Sequence, residues 1–383
     1  MLNDNHSKQT PGIVRYSCGL LFMLFSFSYL FFLQGNVLAE TQYIYSHGLT
    51  SYSILTGSIV ITLILQIVQW VVGRVLKFRS VCYALSYLPS FILLTFITSS
   101  EHSLLTTSAW MWLLPVLLVL SLVVPFVANR QSSSVDYQAT FLANQLWKNH
   151  LLLFVLFLLC GTLSTTKDVY CYELKVERLI MEQDYEAATQ VAPLSLKTTR
   201  RLTELRMFAL SQQGLLAERL FDYPQYHGAA GLLCLTDTSA DFRYPVQRIC
   251  YRLGAIPDSK TIHNEIQYFQ VMNRIDSLRT AVTQDYELCY YLLDKDLGAF
   301  AKKLPLYYPD SLTTQLPRAY REAVLYLART TNKHFGYAIP PETESSYEQY
   351  LQLKNDHANA LERKNQTHRQ FGNTFWWYYE YGN

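Results

Sequence analysis

Few residue combinations in the sequence are typical of catalysis. The chain has no Gly-x-Ser-x-Gly nucleophile turn, no Walker-type phosphate loop, no His-Glu-x-x-His pair and no Cys-x-x-Cys pair. His357 and His368 do not complete a metal-ligand set, so we expect both to face solvent. Lys295 separates Asp294 from Asp296, which favours a turn over an acid–base pair. We therefore predict no catalytic residue, no metal site and no cofactor.

The cysteines offer a second kind of chemistry. Cys171, Cys234, Cys250 and Cys289 fall in the charged C-terminal part of the chain. In an oxidising compartment Cys234 and Cys250 are the candidate disulfide, because they flank a loop and the start of a helix. Small buried free thiols are the alternative, since cysteine is among the most frequently buried residues.

An aromatic run near the C-terminus is the most distinctive local feature. It comprises Phe375, Trp376, Trp377, Tyr378 and Tyr379. These side chains can cap the last apolar face of a helical array, dock at a bilayer interface, or bind a partner or glycan. Capping is the structural role that a repeat domain would require, and the two binding roles remain open beside it.

Charge divides the chain into two parts. Of the 62 charged side chains, only eleven precede Lys167. This segregation predicts a transmembrane domain at 1–166 and a water-exposed domain at 167–383. The net charge of +2 gives no reason to expect a nucleic-acid partner. The lipid bilayer is the first predicted partner.

The uncharged stretches of the first part are long enough to cross a membrane. They predict a bundle of five transmembrane helices, because about 20 apolar residues span a hydrocarbon core about 30 Å thick. The predicted spans are 14–34, 52–73, 81–99, 108–128 and 149–166. Within them Gln66 and Gln69 are the main polar pair, and we expect them to hydrogen-bond between helices or to lie near the inner interface.

Lysine and arginine predict the orientation of these spans. All seven cations of the first part lie before span one, in the 73–80 loop or in the 129–148 loop, whereas the loops near 35–51 and 100–107 have none. The positive-inside rule then places the N-terminus in the cytoplasm and 167–383 outside the inner (cytoplasmic) membrane, in a periplasm. Val37-Leu38-Ala39 also resembles a signal-peptide cleavage site, but the long apolar run before it favours an uncleaved anchor.

From Lys167 onward the apolar residues recur with helical spacing, and the second part is predicted to be all-α. Glu182-Gln183-Asp184-Tyr185-Glu186-Ala187-Ala188 resembles the inter-helix turn of tetratricopeptide repeats. The spacing between Gln183 and Gly214 is similar to the period of that repeat. The whole chain resembles uncharacterised bacterial multi-pass inner-membrane proteins with a degenerate, tetratricopeptide-like C-terminal domain. That resemblance implies an architecture and no activity.

Two functions follow as expectations. The first is a membrane-anchored scaffold whose helical-repeat domain binds a protein partner, since helical solenoids offer long concave surfaces. The second is an enzyme or enzyme subunit that acts on cell-envelope glycan or lipid at the outer face of the membrane. The sequence nominates no catalytic residues for it.

Overall fold

The protein is all-helical in the part of the chain that its structure, a computed structural model, describes. The described residues are 12–76, 80–98, 142–164, 168–235, 243–257, 264–309, 315–332 and 335–382, with single positions between 115 and 123 and at 262. The chain divides into two compact units, Met1–Cys171 and Tyr172–Asn383.

The first unit is built from apolar helices. Helix α1 covers Gly12–Ser28 and continues through a π-helical turn at Tyr29–Leu33; α2 covers Gly35–Tyr45, α3 Ile54–Leu76, α4 Leu88–Thr98 and α5 Leu142–Leu163. A 3₁₀ segment at Ser80–Tyr87 leads into α4. Pro89 is the second residue of α4, and proline is favoured in the first turn of an α-helix because it lacks an N–H group.

Three of the predicted spans coincide with helices that are long and apolar enough to cross a membrane. These are Gly12–Leu33, Ile54–Val75 and Gln145–Leu163. The predicted span at 81–99 forms a shorter apolar helix, Tyr83–Thr98. The predicted span at 108–128 lies, apart from a few positions, outside the described residues.

The predicted 35–51 loop is largely helical instead. Helix α2 occupies Gly35–Tyr45, and its Glu40 is buried. The sequence did not predict this helix, because the charged Glu40 was taken to lie in a loop after the first membrane span. The Val37-Leu38-Ala39 segment is likewise helical and buried.

Polar side chains of the first unit join its helices from inside. Gln69 accepts a hydrogen bond from Gln66 in the same helix and donates to the hydroxyls of Tyr83 and Ser86 at 3.0 Å each. The Asn149 side chain accepts from the backbone N–H of Ala84 at 2.8 Å. The prediction that the glutamine pair hydrogen-bonds between helices is confirmed for Gln69.

The second unit contains shorter helices connected by turns and irregular segments. They are α6 (Asp168–Met181), α7 (Tyr185–Thr189), α8 (Arg200–Gln212), α9 (Val246–Leu253), α10 (Glu265–Arg274), α11 (Ala281–Leu293), α12 (Leu297–Tyr307), α13 (Arg318–Thr331), α14 (Pro341–Asp356), α15 (Ala360–Phe371) and α16 (Phe375–Tyr381). Most carry one buried apolar face. In α9, for example, Val246, Ile249 and Leu253 are buried at helical spacing.

Three turns in this unit share one hydrogen-bond geometry. The residues Gln183, Gly214 and Lys295 have φ values of 61°, 69° and 61°. After each, the next backbone N–H bonds to the carbonyl five residues earlier, which is the Schellman motif that ends a helix. Asp184 and Asp296 then accept a bond from the backbone N–H three residues later and thereby start the following helix.

The sequence predicts a second helical hairpin, with helices at Leu202–Leu210 and Leu215–Phe221 around the turn at Gln213-Gly214. Its second helix is absent, because residues 215–221 form turns and irregular backbone. Helix α7 is also short, at five residues. The apolar residues of this segment are nevertheless buried, namely Leu216, Ala217, Leu220 and Phe221. Their side chains therefore contribute to the core although the backbone is not helical.

A buried ionic network connects α6 and α8 with residues 234, 243 and 244. Arg201 pairs with Glu204 at 2.6 Å and with Glu177 at 3.5 Å, and Arg243 pairs with Glu177 at 3.5 Å. The two carboxylates also accept the backbone N–H groups of Cys234 and Tyr244. Two cations and two anions therefore compensate each other, as buried charges require.

Candidate functional site

The C-terminal aromatic run forms α16, whose start is fixed by polar contacts. Thr374 caps the helix by accepting from the backbone N–H of Trp377. Glu322, almost completely buried on α13, accepts from the backbone N–H of Phe375 at 2.6 Å and from Arg318 at 2.9 Å. A carboxylate at the first N–H groups of a helix also interacts favourably with the helix dipole.

Two more contacts attach the run to the α11–α12 turn. The Tyr378 hydroxyl donates to the carbonyl of Leu293 at 2.7 Å, and Lys295 Nζ donates to the carbonyl of Gly382 at 2.7 Å. Burial, together with the nearby Asp294, raises the pKa of Tyr378 to about 12, so this phenol stays protonated and remains a donor.

The five predicted aromatic residues have different environments. Phe375, Trp376 and Tyr378 are buried, with Trp376 only 1% exposed, whereas Trp377 and Tyr379 are partly exposed. Trp376 packs in a cluster with Leu325, Tyr347, Tyr350 and Phe371. Tyr379 contacts Tyr326. The run thus contains residues placed for packing and at least one, Trp377, placed beside a cleft.

The cleft has a volume of about 560 Å³, within the range of about 300–1,000 Å³ typical of ligand sites. Residues of α15 and α16 line it together with the segments 193–196 and 221–226. Its lining includes Leu194, Leu196, Phe221, Asp222, Tyr223, Gln225, Tyr226, Lys364, Asn365, His368, Arg369, Gln370, Asn373, Trp377, Tyr378 and Tyr381. The candidate functional site is this cleft.

One face of α15 supplies the polar groups of the cleft. Lys364, Asn365, His368 and Arg369 follow the i, i+4 spacing of a single helix face. His368 stacks against Trp377 with ring centroids 4.5 Å apart. His368, predicted to face solvent, is half-buried and lines the cleft. His357 lies 3.5 Å from Glu362 and does not line the cleft.

The charge of the cleft lining is predominantly positive. Lys364 and Arg369 are exposed, and neither forms an ion pair with another described residue. The carboxylate of Asp222 is already bound by Arg219 at 2.9 Å and by Arg318 at 3.4 Å. The cleft therefore favours ligands that carry negative charge.

Arg206 lies behind the wall of the cleft. Its guanidinium is fully buried, stacks over the Tyr223 ring at 4.8 Å, and donates to the carbonyls of Val191 and Ala192 at 2.9 and 3.1 Å. Burial lowers its pKa. Because Ala192 has a φ of 45°, these hydrogen bonds hold a strained turn that presents Leu194 to the cleft.

The remaining predicted residues lie elsewhere. Cys234 and Cys250 are buried, and no disulfide joins them. Burial raises the pKa of Cys250 to about 12. Asp296 caps α12, as expected for a turn residue, and Asp294 ends α11. In the described part of the chain, no group of His, Cys, Asp and Glu residues is arranged to hold a metal ion.

Sequence reasoning found the aromatic side of the cleft and missed the rest. Residues 193–196 and 221–226 are separated from Trp377 by more than 150 positions, so no local pattern connects them. The polar face of α15 was a detectable signal, since its i, i+4 spacing is visible in the sequence.

Comparison with known families places the chain in one of them. Residues 102–278 and 276–382 match DUF6057, a family of unknown function. The chain belongs to DUF6057. No curated protein and no solved structure matches it. The matched region of this DUF6057 member includes every residue of the cleft lining.

Proposed function

We propose that this DUF6057 protein is a multi-pass protein of the inner membrane that presents residues 167–383, outside the cytoplasm, to a protein partner. The cleft between α15, α16 and the 193–196 and 221–226 segments is the observation that carries the binding role. The helices of the first unit carry the anchoring role.

The first unit exposes many apolar side chains and buries several polar ones. On α3, Ile59, Leu63, Ile67 and Trp70 are exposed, whereas Ser58, Thr62 and Gln69 are buried. A water-soluble protein would have the opposite distribution, but lipid tails accept apolar side chains and helix interfaces in membranes use polar ones. Arg74 stacks over Trp70 at 4.2 Å, which suits a helix end at a membrane surface.

Five spans remain part of the proposal. The segment at 80–98 combines eight 3₁₀ residues with eleven α-helical ones. At rises of about 2.0 and 1.5 Å per residue its length is about 32 Å, which is enough for a hydrocarbon core of about 30 Å. The apolar stretch at 108–128 would supply the remaining span.

The shared turns at Gln183, Gly214 and Lys295 support a degenerate helical-repeat reading of the second unit. Tetratricopeptide repeats also join antiparallel helices through short polar turns. Helices α11 and α12 form such a hairpin around Lys295, with an aspartate cap at Asp296. Repeat units of this kind commonly bind other proteins on a concave side, which is an argument from analogy.

An enzyme or enzyme subunit acting on envelope glycan or lipid is the second candidate. The amides of Asn365, Gln370 and Asn373 beside Trp377 and Tyr381 favour it, because sugars combine stacking faces with many hydroxyl groups. Asp222 is the carboxylate of the lining, and its two arginine partners make it a poor general acid.

Topology is tested with a reporter enzyme that is active only outside the cytoplasm. A fusion after Thr166 should be active, and a fusion within 129–148 should be inactive. The two fusions differ in whether the last predicted span, 149–166, precedes the reporter. Comparing them therefore tests the orientation of that span. The opposite pattern would overturn the proposed topology and the extracytoplasmic location.

The binding role is tested by purifying the full chain in mild detergent from cells of its own source. A protein that co-purifies in fixed stoichiometry supports the scaffold. A co-purifying lipid-linked sugar with no protein partner supports the envelope enzyme and rejects the scaffold. If a protein partner co-purifies, replacement of Trp377 by alanine should release it, because this side chain lines the cleft.

A further inference from the structure

The cleft combines exposed positive charge with exposed apolar side chains. Lys364 and Arg369 of α15 are exposed in its lining, and so are Leu194, which is 93% exposed, and Leu196 of the 193–196 segment. These two leucines add exposed apolar surface to the cleft lining, which a ligand with an apolar group would cover. Positive charge alone would suit many anions, but the leucines require an apolar component as well.

Three residues that line the cleft are buried aromatic side chains. Phe221, Tyr223 and Tyr378 are buried there, and Phe221 lies against Tyr378 with ring centroids 5.3 Å apart. The buried Arg206 lies behind Tyr223 and places a further positive charge near the cleft. Its Nε and Nη1 atoms have no hydrogen-bond partner, and no carboxylate pairs with it among the described residues.

We propose that this cleft binds an acidic peptide segment of the partner protein, with an apolar side chain of the peptide inserted between Leu194 and Trp377. The inference rests on the proposed scaffold function and specifies how the partner is recognised. Carboxylates of the peptide face Lys364 and Arg369, and its apolar side chain covers the leucines. Aromatic anchors surrounded by charged groups are typical of the energetic centre of a protein interface.

The same features argue against the other two ligand classes. A sugar has few apolar groups that could cover Leu194 and Leu196, so those side chains would stay in water. A bilayer surface is flat or convex on this scale, whereas the site is concave with a volume of about 560 Å³. An acidic peptide complements the positive charge of the cleft, covers the two leucines and fits the concave shape.

The test measures binding of synthetic peptides to the full chain in detergent by fluorescence anisotropy. The probe is the labelled peptide Glu-Asp-Phe-Glu-Leu-Asp-Glu, compared with the same peptide carrying lysine at every acidic position. The acidic peptide should bind at least about tenfold more tightly than the basic one. Its affinity should fall as salt rises from about 0.1 to 1 M, because the Debye length shortens from about 10 to 3 Å.

Charge-reversal variants locate the binding site. The pair K364E and R369E should weaken binding of the acidic peptide at least about tenfold. The matched control, R248E with K302E, makes the same change in net charge at exposed residues that do not line the cleft. This control should bind the peptide nearly as the unmodified protein does. Both double variants should retain the melting temperature of the unmodified protein.

Three outcomes would overturn the inference. One is equal binding of the acidic and basic peptides, and another is equal loss of binding in the two double variants. The third is displacement of the peptide by oligogalacturonate or by phosphatidylglycerol vesicles at lower concentration than by unlabelled peptide. If a stoichiometric protein partner still co-purifies with the K364E and R369E variant, the proposed function survives and the cleft assignment fails.

Discussion

At the scale of single residues, Glu322 is the contact that attaches the aromatic run to the second unit. It is 3% exposed, pairs with Arg318 and accepts the backbone N–H of Phe375. Removing one member of a buried ion pair typically costs about 3–5 kcal/mol, because the other charge stays buried without a partner. Arg318 is only partly buried and also binds Asp222. We therefore expect the loss of unfolding free energy to lie near the lower end of that range.

We expect E322A to lower the melting temperature of the full chain in detergent by at least about 6 °C, since 1 kcal/mol corresponds to about 2–4 °C for a domain of this size. The control is E348A, which removes an exposed pair with Arg329 at 3.7 Å. Exposed pairs contribute about 0–1 kcal/mol, so E348A should melt within about 3 °C of the unmodified protein. Equal shifts in the two variants would contradict the anchoring role of Glu322.

The thiol of Cys250 provides a second test at this scale. Burial raises its pKa to about 12, so it stays protonated and inert at pH 8 while the protein is folded. The favourable contribution of this group to stability is complete below the pKa of the unfolded thiol, about 8.5, and is lost as pH rises toward 12.

Iodoacetamide at pH 8 should therefore leave Cys250 unmodified in the native protein and modify it in denaturant. Peptide mass spectrometry distinguishes the two states. Cys171, which is only half-buried, serves as the internal comparison. Recovery of a peptide joining Cys234 to Cys250 under non-reducing conditions would instead establish the candidate disulfide and refute the free-thiol state.

At the scale of elements, α16 combines packing with a cleft wall. Trp376 and Trp377 are adjacent in sequence, yet the first is buried against Tyr347 and Tyr350 and the second stacks on His368. A helix places neighbouring residues about 100° apart, which explains how one short segment serves two sides.

Truncation after Asn373 should strongly lower the melting temperature or cause aggregation. The deletion removes Phe375, Trp376 and Tyr378, and loss of one buried Phe or Trp costs about 3–5 kcal/mol. Scanning fluorimetry of the detergent-solubilised chain measures the shift. W376A should reproduce most of it, whereas W377A should have a smaller effect. An unchanged melting curve after truncation would mean that the run serves binding alone.

At the scale of the whole molecule, the two units differ in the polarity of their surfaces. The first exposes leucine, isoleucine and valine, and the second contains most of the charged residues of the chain. Because α6 begins at Asp168, a fragment from Asp168 to Asn383 keeps this helix intact.

We expect the 168–383 fragment to be soluble without detergent and to give a strongly helical far-UV circular dichroism spectrum. A fragment ending at Thr166 should require detergent, because its apolar side chains would otherwise be exposed to water. A spectrum of the 168–383 fragment dominated by strand or coil would contradict the all-α assignment. Loss of helicity after removal of detergent would indicate that the second unit depends on the first.

The amino-acid sequence by itself determined those features that depend on local pattern. Apolar stretches predicted the helices at Gly12–Leu33, Ile54–Val75 and Gln145–Leu163, because helix length and hydropathy are properties of consecutive residues. The turns at Gln183 and Lys295 were also recognisable, since an aspartate that follows a helix end is a local capping signal.

Only the tertiary structure decided which distant residues meet. The cleft joins residues 193–196 to α16, and Glu322 reaches Phe375 across 53 positions. Residues 216–221 became turns although their apolar spacing suited a helix, because burial in the core outweighed local propensity. Periodicity identifies the apolar face of a segment, whereas the choice of packing partner depends on the shape and charge of segments far away in the chain.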